Sequence, residues 1–152
     1  MKSKTKYHRT AGGVVVNDSG EVLVLRRTVA RDGALVHEVR LPKGHIDAGE
    51  SETAAAMREV GEESGYWDVA IMADLGMAHS SFTFKGKQRE RDERYFLMCL
   101  TRPERGPAAP EGTEEALFEP EWLPLGEAPG SMTYASERDF VERARLWLSE
   151  NH

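Results

Sequence analysis

The chain has 152 residues, of which 39% are hydrophobic and 30% charged, a composition typical of a soluble globular protein with one buried core. It excludes a membrane-spanning helix, which needs ~20 consecutive apolar residues, and its basic beginning lacks the apolar stretch of a signal peptide. The formal net charge of −6 argues against general nucleic-acid binding, which depends on phosphate neutralisation. We therefore expect one domain over residues 1–152, a cytoplasmic location and no membrane partner.

The first elements are predicted to form a β-hairpin. Apolar and β-branched runs at Ala11–Val16 and Glu21–Leu25 flank turn residues at 17–20, and this pattern predicts two paired strands. A shorter strand is expected at Val36–Leu41, after a polar stretch rich in arginine. Pro42–His45 is expected to begin a loop.

A helix at about Ser51 to Ser64 is the clearest local prediction. The Ser51 hydroxyl can cap its amino terminus, and Gly65 can adopt the left-handed conformation that commonly ends a helix.

Strands dominate the segment that follows. A stretch with three prolines and two glycines, Arg102–Gly112, predicts a loop. The single cysteine, Cys99, lies in an apolar run and is expected to be a buried small residue rather than a catalytic thiol. The strands are expected near residues 69–77, 79–85, 93–101 and 118–123.

A second helix is expected from about Ser136 to Glu150, where Ser136 and Asp139 match a capping box. Its apolar stripe predicts packing against a core. Strands before, between and after two helices indicate an α+β or α/β sandwich. The stripe consists of Phe140, Val141, Ala144, Trp147 and Leu148.

The first helix has two chemically different sides. At about 100° per residue, one sector is apolar and a separate sector is acidic. The apolar sector contains Thr53, Ala56, Met57 and Val60, and the acidic sector contains Glu52, Glu59, Glu62 and Glu63.

The acidic sector is costly for an isolated helix. Like charges at i,i+3 and i,i+4 each destabilise a helix by a few tenths of a kcal/mol, and Gly61 adds up to ~1 kcal/mol relative to alanine. A solvated acidic face is the common explanation for such a helix. A bound Mg²⁺ is the alternative, because it prefers oxygen ligands and bridges carboxylates to substrate phosphates. Gly44, just upstream, lets the backbone approach the helix so that its carbonyl could reach a metal.

The segment Gly44–Tyr66 resembles the Nudix box: Gly, five residues, Glu, seven residues, then Arg-Glu-U-x-Glu-Glu-x-Gly-U, where U is apolar. The only departure is Tyr66 at the final U, and it concerns packing. The resemblance implies an α/β/α sandwich around a mixed sheet, with the box forming a loop–helix–loop. The positions in register are Gly44, Glu50, Arg58, Glu59, Val60, Glu62, Glu63 and Gly65.

The resemblance also implies roles for the box residues. Glu59, Glu62 and Glu63 would bind Mg²⁺, or alternatively Mn²⁺, with help from the Gly44 carbonyl. Arg58 and Glu50 would form an ion pair that orients the cluster. All of these residues are therefore expected to be catalytic residues or metal ligands of an enzyme that hydrolyses acid anhydrides.

The general base varies within the family, so several glutamates are candidates. Glu115 is preferred, in the loop before Phe118, with Glu114 and Glu111 beside it. Glu90 and Glu93 are weaker alternatives, and a box glutamate could also serve.

The segment Leu41–His45 resembles the start of the box in hydrolases of diadenosine polyphosphates, so a dinucleoside polyphosphate is the preferred small-molecule substrate. ADP-ribose, nucleotide sugars and nucleoside triphosphates remain alternatives, and a capped RNA end is not excluded. Basic residues could contact the polyphosphate and aromatic residues could stack on a base. A mixed-charge hairpin with Phe84 and Tyr95 in the core is equally compatible with the sequence. The candidate contacts are Lys43, Lys85, Lys87, Arg89, Arg91, Phe82, Phe84 and Tyr95.

Two alternatives to an enzyme and one assembly state are also compatible with a sequence of this kind. A catalytically silent Nudix nucleotide-binding module is the non-enzyme alternative, although such modules typically lack box glutamates. A structural Ca²⁺ site would need more oxygen ligands than 44–50 offers. A homodimer is also possible.

Overall fold

The computed structural model describes residues 5–151 and shows a mixed sheet covered by helices. The first four residues of the basic beginning lie outside the described residues. Within them, the strands are β1 (Lys6–Val16), β2 (Glu21–Arg31), β3 (Ala34–Arg40), β4 (Lys43–His45), β5 (Val69–Phe84), β6 (Lys87–Leu100) and β7 (Glu119–Pro124). The helices are α1 (Glu52–Ser64), α2 (Ala128–Ser131) and α3 (Ala135–Glu150), with a 3₁₀ turn at Glu115–Leu117.

The strands pair in the order β3-β2-β1-β6-β5. The β1–β6 pair is parallel and the other pairs are antiparallel, with β4 added to β1 and β7 added to β2. The predicted hairpin is confirmed, since Val16 is registered with Val22 across its turn.

Helices on both faces of the sheet create two cores and confirm the expected sandwich. Helix α1 covers one face, where Val60 packs with Val15 and Met98. Helix α3 covers the other, where the Phe140 ring lies 4.5 Å from the Tyr95 ring. No helix within residues 5–151 has both the length and the apolar character needed to cross a membrane.

Helix α1 begins and ends as the sequence predicts. The Ser51 hydroxyl accepts the Ala54 N–H at 3.1 Å, and Gly65 has a φ of 84° with its N–H donated to the Gly61 carbonyl. The unusual residue at the end of the box, Tyr66, packs edge-on against Trp122 and accepts its indole N–H at 3.0 Å. An aromatic residue fits at this position because a second aromatic ring covers it.

Two predictions about the strands are wrong. The segments 69–77 and 79–85 form one strand, β5, because register shifts near 71–73 and 74–77 absorb the irregular stretch without ending the pairing. The expected loop at Pro42–His45 contains the short strand β4, because residues 43–45 pair with β1.

Two further expectations need correction. Helix α3 begins at Ala135 after Tyr134, so Ser136 lies inside the first turn and cannot act as the predicted cap. Cys99 is partly exposed rather than buried. The apolar stripe is confirmed, since Phe140, Val141 and Ala144 are buried in the core beneath α3.

Candidate active site

A cleft of about 390 Å³ opens where the ends of β3, β4 and α1 meet the 3₁₀ turn. Its wall is strongly charged, with carboxylates and cations from five separate parts of the chain. The charged and aromatic lining residues are Arg27, Arg40, Lys43, His45, Glu63, Arg91, Glu111, Glu114, Glu115 and Phe118.

Three carboxylates meet at this cleft. One oxygen from each of Glu59, Glu63 and Glu115 lies within 4.8 Å of the other two. Glu59 and Glu63 are buried, one helical turn apart on α1, whereas Glu115 reaches in from the 3₁₀ turn and is half-buried. The distant glutamate preferred as a general base therefore lies beside two box glutamates.

Gly44 packs its backbone directly against this group. A Cβ at this position would lie 2.0 Å from Glu59 Cδ and 2.2 Å from both of its oxygens. The main chain of β4 thus approaches α1 more closely than any side chain would allow. The neighbouring Lys43 N–H donates to Glu63 Oε1 at 2.7 Å, which fixes the strand to the second buried carboxylate.

Burial disfavours the ionised form of these three carboxyl groups. Burial raises the pKa of Glu63 to about 9, with Glu115 adding to the effect, and it raises the pKa of Glu59 to about 7. Burial also raises the pKa of Glu115. Buried Glu59 Oε2 has no hydrogen-bond partner among the described residues. Converging carboxylates with an unpartnered buried oxygen fit a divalent cation that prefers oxygen ligands.

Arg58 holds the acidic loop and helix together. Its guanidinium donates to Glu50 at 2.7 and 3.0 Å and to the His45 carbonyl at 2.9 Å. It also donates to Glu59 at 2.8 Å and to Glu62 at 3.0 Å. The Glu50 bond raises the pKa of Arg58, and the Arg58 bond lowers the pKa of Glu50. The structure brings Arg58 and Glu50 together as expected.

Glu62 lies differently from the other box glutamates. Its carboxylate accepts from Arg58 and is not part of the group formed by Glu59, Glu63 and Glu115. To join that group, Glu62 would have to exchange its contact with Arg58 for a metal.

The remaining candidate bases have other partners. Glu114 pairs with Arg31 at 2.9 Å, and Glu93 pairs with Lys43 at 2.6 Å. The Glu111 N–H donates to Glu115 at 3.0 Å and orients it. Glu90 lies 3.5 Å from His79, away from the cleft.

The sequence did not predict two arginines that line the cleft, Arg27 and Arg40. The Arg27 guanidinium lies 4.1 Å from the centre of the Phe118 ring and bonds to buried Glu38 at 2.7 Å. Arg40 bonds to buried Glu137 at 2.8 Å. Alternation along β2 and β3 is the signal that could have found them, but it requires the strand register to be known.

The predicted substrate contacts lie in three places: in the cleft, near the β5–β6 turn and, for Tyr95, in the core. Lys43 and Arg91 line the cleft. Phe84, Lys85 and Arg89 lie towards the β5–β6 turn, where Lys85 Nζ is 5.4 Å and the Arg89 guanidinium 5.5 Å from the Phe84 ring.

Tyr95 is the one candidate contact that the structure contradicts. It is fully buried against Phe140, so its ring cannot stack on a base. The alternative that placed Tyr95 in the core is right. The equivalent placement of Phe84 is wrong, because Phe84 is 53% exposed.

Comparison with known proteins gives a family match across most of the chain. The NUDIX domain family matches residues 6–144. The Mycobacterium tuberculosis protein named MutT4 is 33% identical over 94% of this chain, and the chain spans 56% of that protein's length. An RNA pyrophosphohydrolase of Rhizobium meliloti is 30% identical, with 90% of each chain covered.

A solved structure shows the same fold. The Caenorhabditis elegans Ap4A hydrolase superposes with a TM-score of 0.62 at 25% identity, covering 93% of this chain and 98% of that one.

Proposed function

The chain belongs to the Nudix hydrolase family, and we propose that it hydrolyses a phosphoanhydride bond in a nucleotide with the help of bound Mg²⁺. The convergence of Glu59, Glu63 and Glu115 within 4.8 Å carries this proposal. A dinucleoside polyphosphate is the proposed substrate. The whole chain, residues 1–152, is proposed to act as one cytoplasmic domain.

Glu59, Glu63 and the Gly44 carbonyl would hold the cation, and Glu62 would join them by turning from Arg58. When bound, Mg²⁺ supplies charge neutralisation at the bridging phosphates and lowers the pKa of a coordinated water. Mn²⁺ would fit the same oxygen ligands. Arg58 and Glu50 position the box, because their hydrogen bonds join the loop to α1.

Glu115 is proposed as the general base. It is half-buried, it lies beside Glu63, and its raised pKa makes it a better proton acceptor near neutral pH than an ordinary glutamate. The Glu111 N–H bond restrains its orientation.

Lys43, Arg91, Arg27 and Arg40 offer the positive charge that a polyphosphate requires. Each of them also contacts a carboxylate, so substrate phosphates would share these cations with acidic side chains of the protein. A substrate with four contiguous phosphates can contact more of these cations than a triphosphate can. This difference favours the dinucleoside polyphosphate, which is also what the name of the C. elegans structure indicates for that protein.

The 5′-triphosphate end of RNA is a second candidate. The relative from R. meliloti, an RNA pyrophosphohydrolase, aligns over 90% of both chains. The same cation and base would act on its terminal phosphates.

Initial rates on diadenosine tetraphosphate, ATP, ADP-ribose and a 5′-triphosphorylated oligonucleotide, under identical Mg²⁺ and salt, test the proposal. We expect kcat/KM to be at least tenfold higher for diadenosine tetraphosphate than for ATP, a difference of ~1.4 kcal/mol. A tenfold preference for ATP or ADP-ribose contradicts the substrate class. Absence of hydrolysis of all four substrates contradicts the reaction itself. A Glu115→Gln variant with wild-type kcat contradicts the proposed base.

A further inference from the structure

Three adjoining strands and β4 form a basic and aromatic surface beyond the part of the sheet that α3 covers. The His8 and His45 rings lie with Nδ1 and Nε2 3.3 Å apart, and the Arg91 guanidinium lies 5.0 Å from the centre of the Phe82 ring. Arg89 lies over Phe84 in the same way. We call this surface the basic platform: Lys6, His8, His45, Phe82, Phe84, Arg89 and Arg91.

Positive and negative charge are separated across the sheet at this point. Glu90 lies between Arg89 and Arg91 on β6 and Asp92 follows Arg91, so both acidic side chains point to the other face. There both carboxylates contact His79, at 3.5 and 2.6 Å. The basic platform therefore has few anionic neighbours, although the whole chain has a net charge of −6.

The arginines of the platform lack sufficient acceptors. Among residues 5–151, no carboxylate lies within 4.0 Å of the Arg89 guanidinium, and Arg91 has only Glu93 at 3.6 Å. The buried Nε atoms of both arginines have no hydrogen-bond partner anywhere within residues 5–151. Partial burial and then His45 and Arg91 lower the pKa of His8, as expected where cations crowd together.

The platform continues from the cleft, since Arg91 belongs to both. From Arg91 to Lys87, which pairs with Phe84, the strand rises about 13 Å. A dinucleoside polyphosphate has all its phosphates between its two nucleosides. When those phosphates lie at the carboxylate group, the only part of the substrate that can reach the platform is a neutral nucleoside. The substrate therefore offers no phosphate to Arg89 or Lys6.

A single-stranded polynucleotide matches the platform better. It repeats a phosphate and a base along its length, and exposed aromatic rings alternating with cations are the usual features of sequence-tolerant single-strand binding. The distant carboxylates of the chain oppose this binding little, because the Debye length is only about 8 Å at physiological ionic strength.

We propose that the basic platform binds single-stranded nucleic acid, with bases stacked on Phe82 and Phe84 and phosphates held by Arg89 and Arg91. The surface lies outside the carboxylate group, so binding does not require the proposed hydrolysis.

The test is fluorescence anisotropy in EDTA with a 5′-hydroxyl RNA hexanucleotide labelled at its 3′ end. This probe has no anhydride bond, so its binding is independent of catalysis. Phe84→Ala should weaken binding at least about fivefold, because one stacked base is lost, and Phe84→Trp should retain the affinity. Arg89→Ala should weaken binding. It should also make the negative slope of log K against log salt shallower by about 0.7, because one phosphate contact is lost.

Arg145→Ala is the matched control, since it removes one exposed cation from α3 on another surface. It should bind as the wild type does. Thermal melts establish that each variant is folded. The proposal fails if the probe does not saturate, or if folded Phe84→Ala and Arg89→Ala variants both bind with wild-type affinity. It also fails if tripolyphosphate displaces the probe as readily as unlabelled oligonucleotide, since the platform would then be a general polyanion surface.

Discussion

Replacing Glu63 by glutamine should stabilise the metal-free protein above neutral pH. The side chain is buried, and its pKa is raised from 4.5 to about 9, first by burial and then by Glu115. The folded state therefore favours the protonated carboxyl. That preference is fully present below about pH 4.5 and is lost as the pH rises towards 9.

The magnitude follows from these two pKa values. Between pH 5 and pH 8 the unfolded chain releases the Glu63 proton while the folded chain mostly keeps it. At ~1.36 kcal/mol per pH unit, the wild type loses ~4 kcal/mol from this residue. A glutamine does not titrate, and its amide oxygen can still accept the Lys43 N–H that Glu63 now accepts at 2.7 Å.

The assay is urea unfolding in EDTA at pH 5 and pH 8. At pH 5 we expect Glu63→Gln to unfold with a free energy close to the wild-type value. At pH 8 the variant should be more stable by a few kcal/mol. Glu62→Gln is the control on the same helix: it removes a partner of Arg58, so at pH 8 it should cost up to ~1 kcal/mol. An identical response to pH in the wild type and Glu63→Gln would refute this explanation.

Three further predictions concern the same site. Millimolar Mg²⁺ should raise the melting temperature of the wild type, because a ligand at 100 times its Kd adds ~2.7 kcal/mol to stability, and a melt with EDTA as reference would contradict this if the midpoint did not move. Glu63→Gln should lower kcat by at least about 100-fold on the best substrate, since loss of metal assistance costs several kcal/mol, and wild-type turnover would remove Glu63 from the proposed ligands. Gly44→Ala should cost ~1–3 kcal/mol of stability and reduce turnover, because its Cβ would collide with the Glu59 carboxylate; Gly126→Ala, where a Cβ meets nothing within 4 Å, should do neither.

The box helix could be predicted because its signals are local. Ser51, Gly65 and the spacing of four glutamates all lie within one short segment, and a helix converts that spacing directly into faces. Gly44 could be placed near the helix for the same reason, since a loop joins them. The clash that a Cβ on Gly44 would make with the Glu59 carboxylate explains why only glycine fits there.

The rest of the cleft depends on long-range pairing. Arg27 reaches it because β2 lies between β1 and β3, and Arg40 is held by Glu137, 97 residues away. No local pattern specifies either contact. Glu115 is a candidate because the general base varies within the family and this glutamate lies in a loop, but the 3₁₀ turn that brings it to Glu63 has no signal in the sequence.

Tyr95 shows why alternation along a strand was insufficient. Arg89, Arg91, Glu93 and Tyr95 follow one another at every second position of β6, so they share a face. Helix α3 covers that face at Tyr95, through Phe140, and leaves it open at Arg89. Alternation in β6 determines which residues share the face, but only the placement of α3 decides where the core ends and the binding surface begins.

The carboxylate group and the basic platform carry opposite electrostatic costs, and each cost indicates the kind of ligand that would bind there. Glu59 and Glu63 are buried carboxyl groups, and burial raises the pKa of each because it disfavours the ionised form. Arg89 and Arg91 are cations with too few acceptors. A bound cation relieves the first cost and a phosphate chain relieves the second. Because Glu63 holds a proton near neutral pH in the metal-free protein, binding of the cation must release that proton, so metal affinity should strengthen as pH rises. The metal-free carboxylate group is thus incomplete, and the cation that completes it is separate from the phosphates that the basic platform would bind.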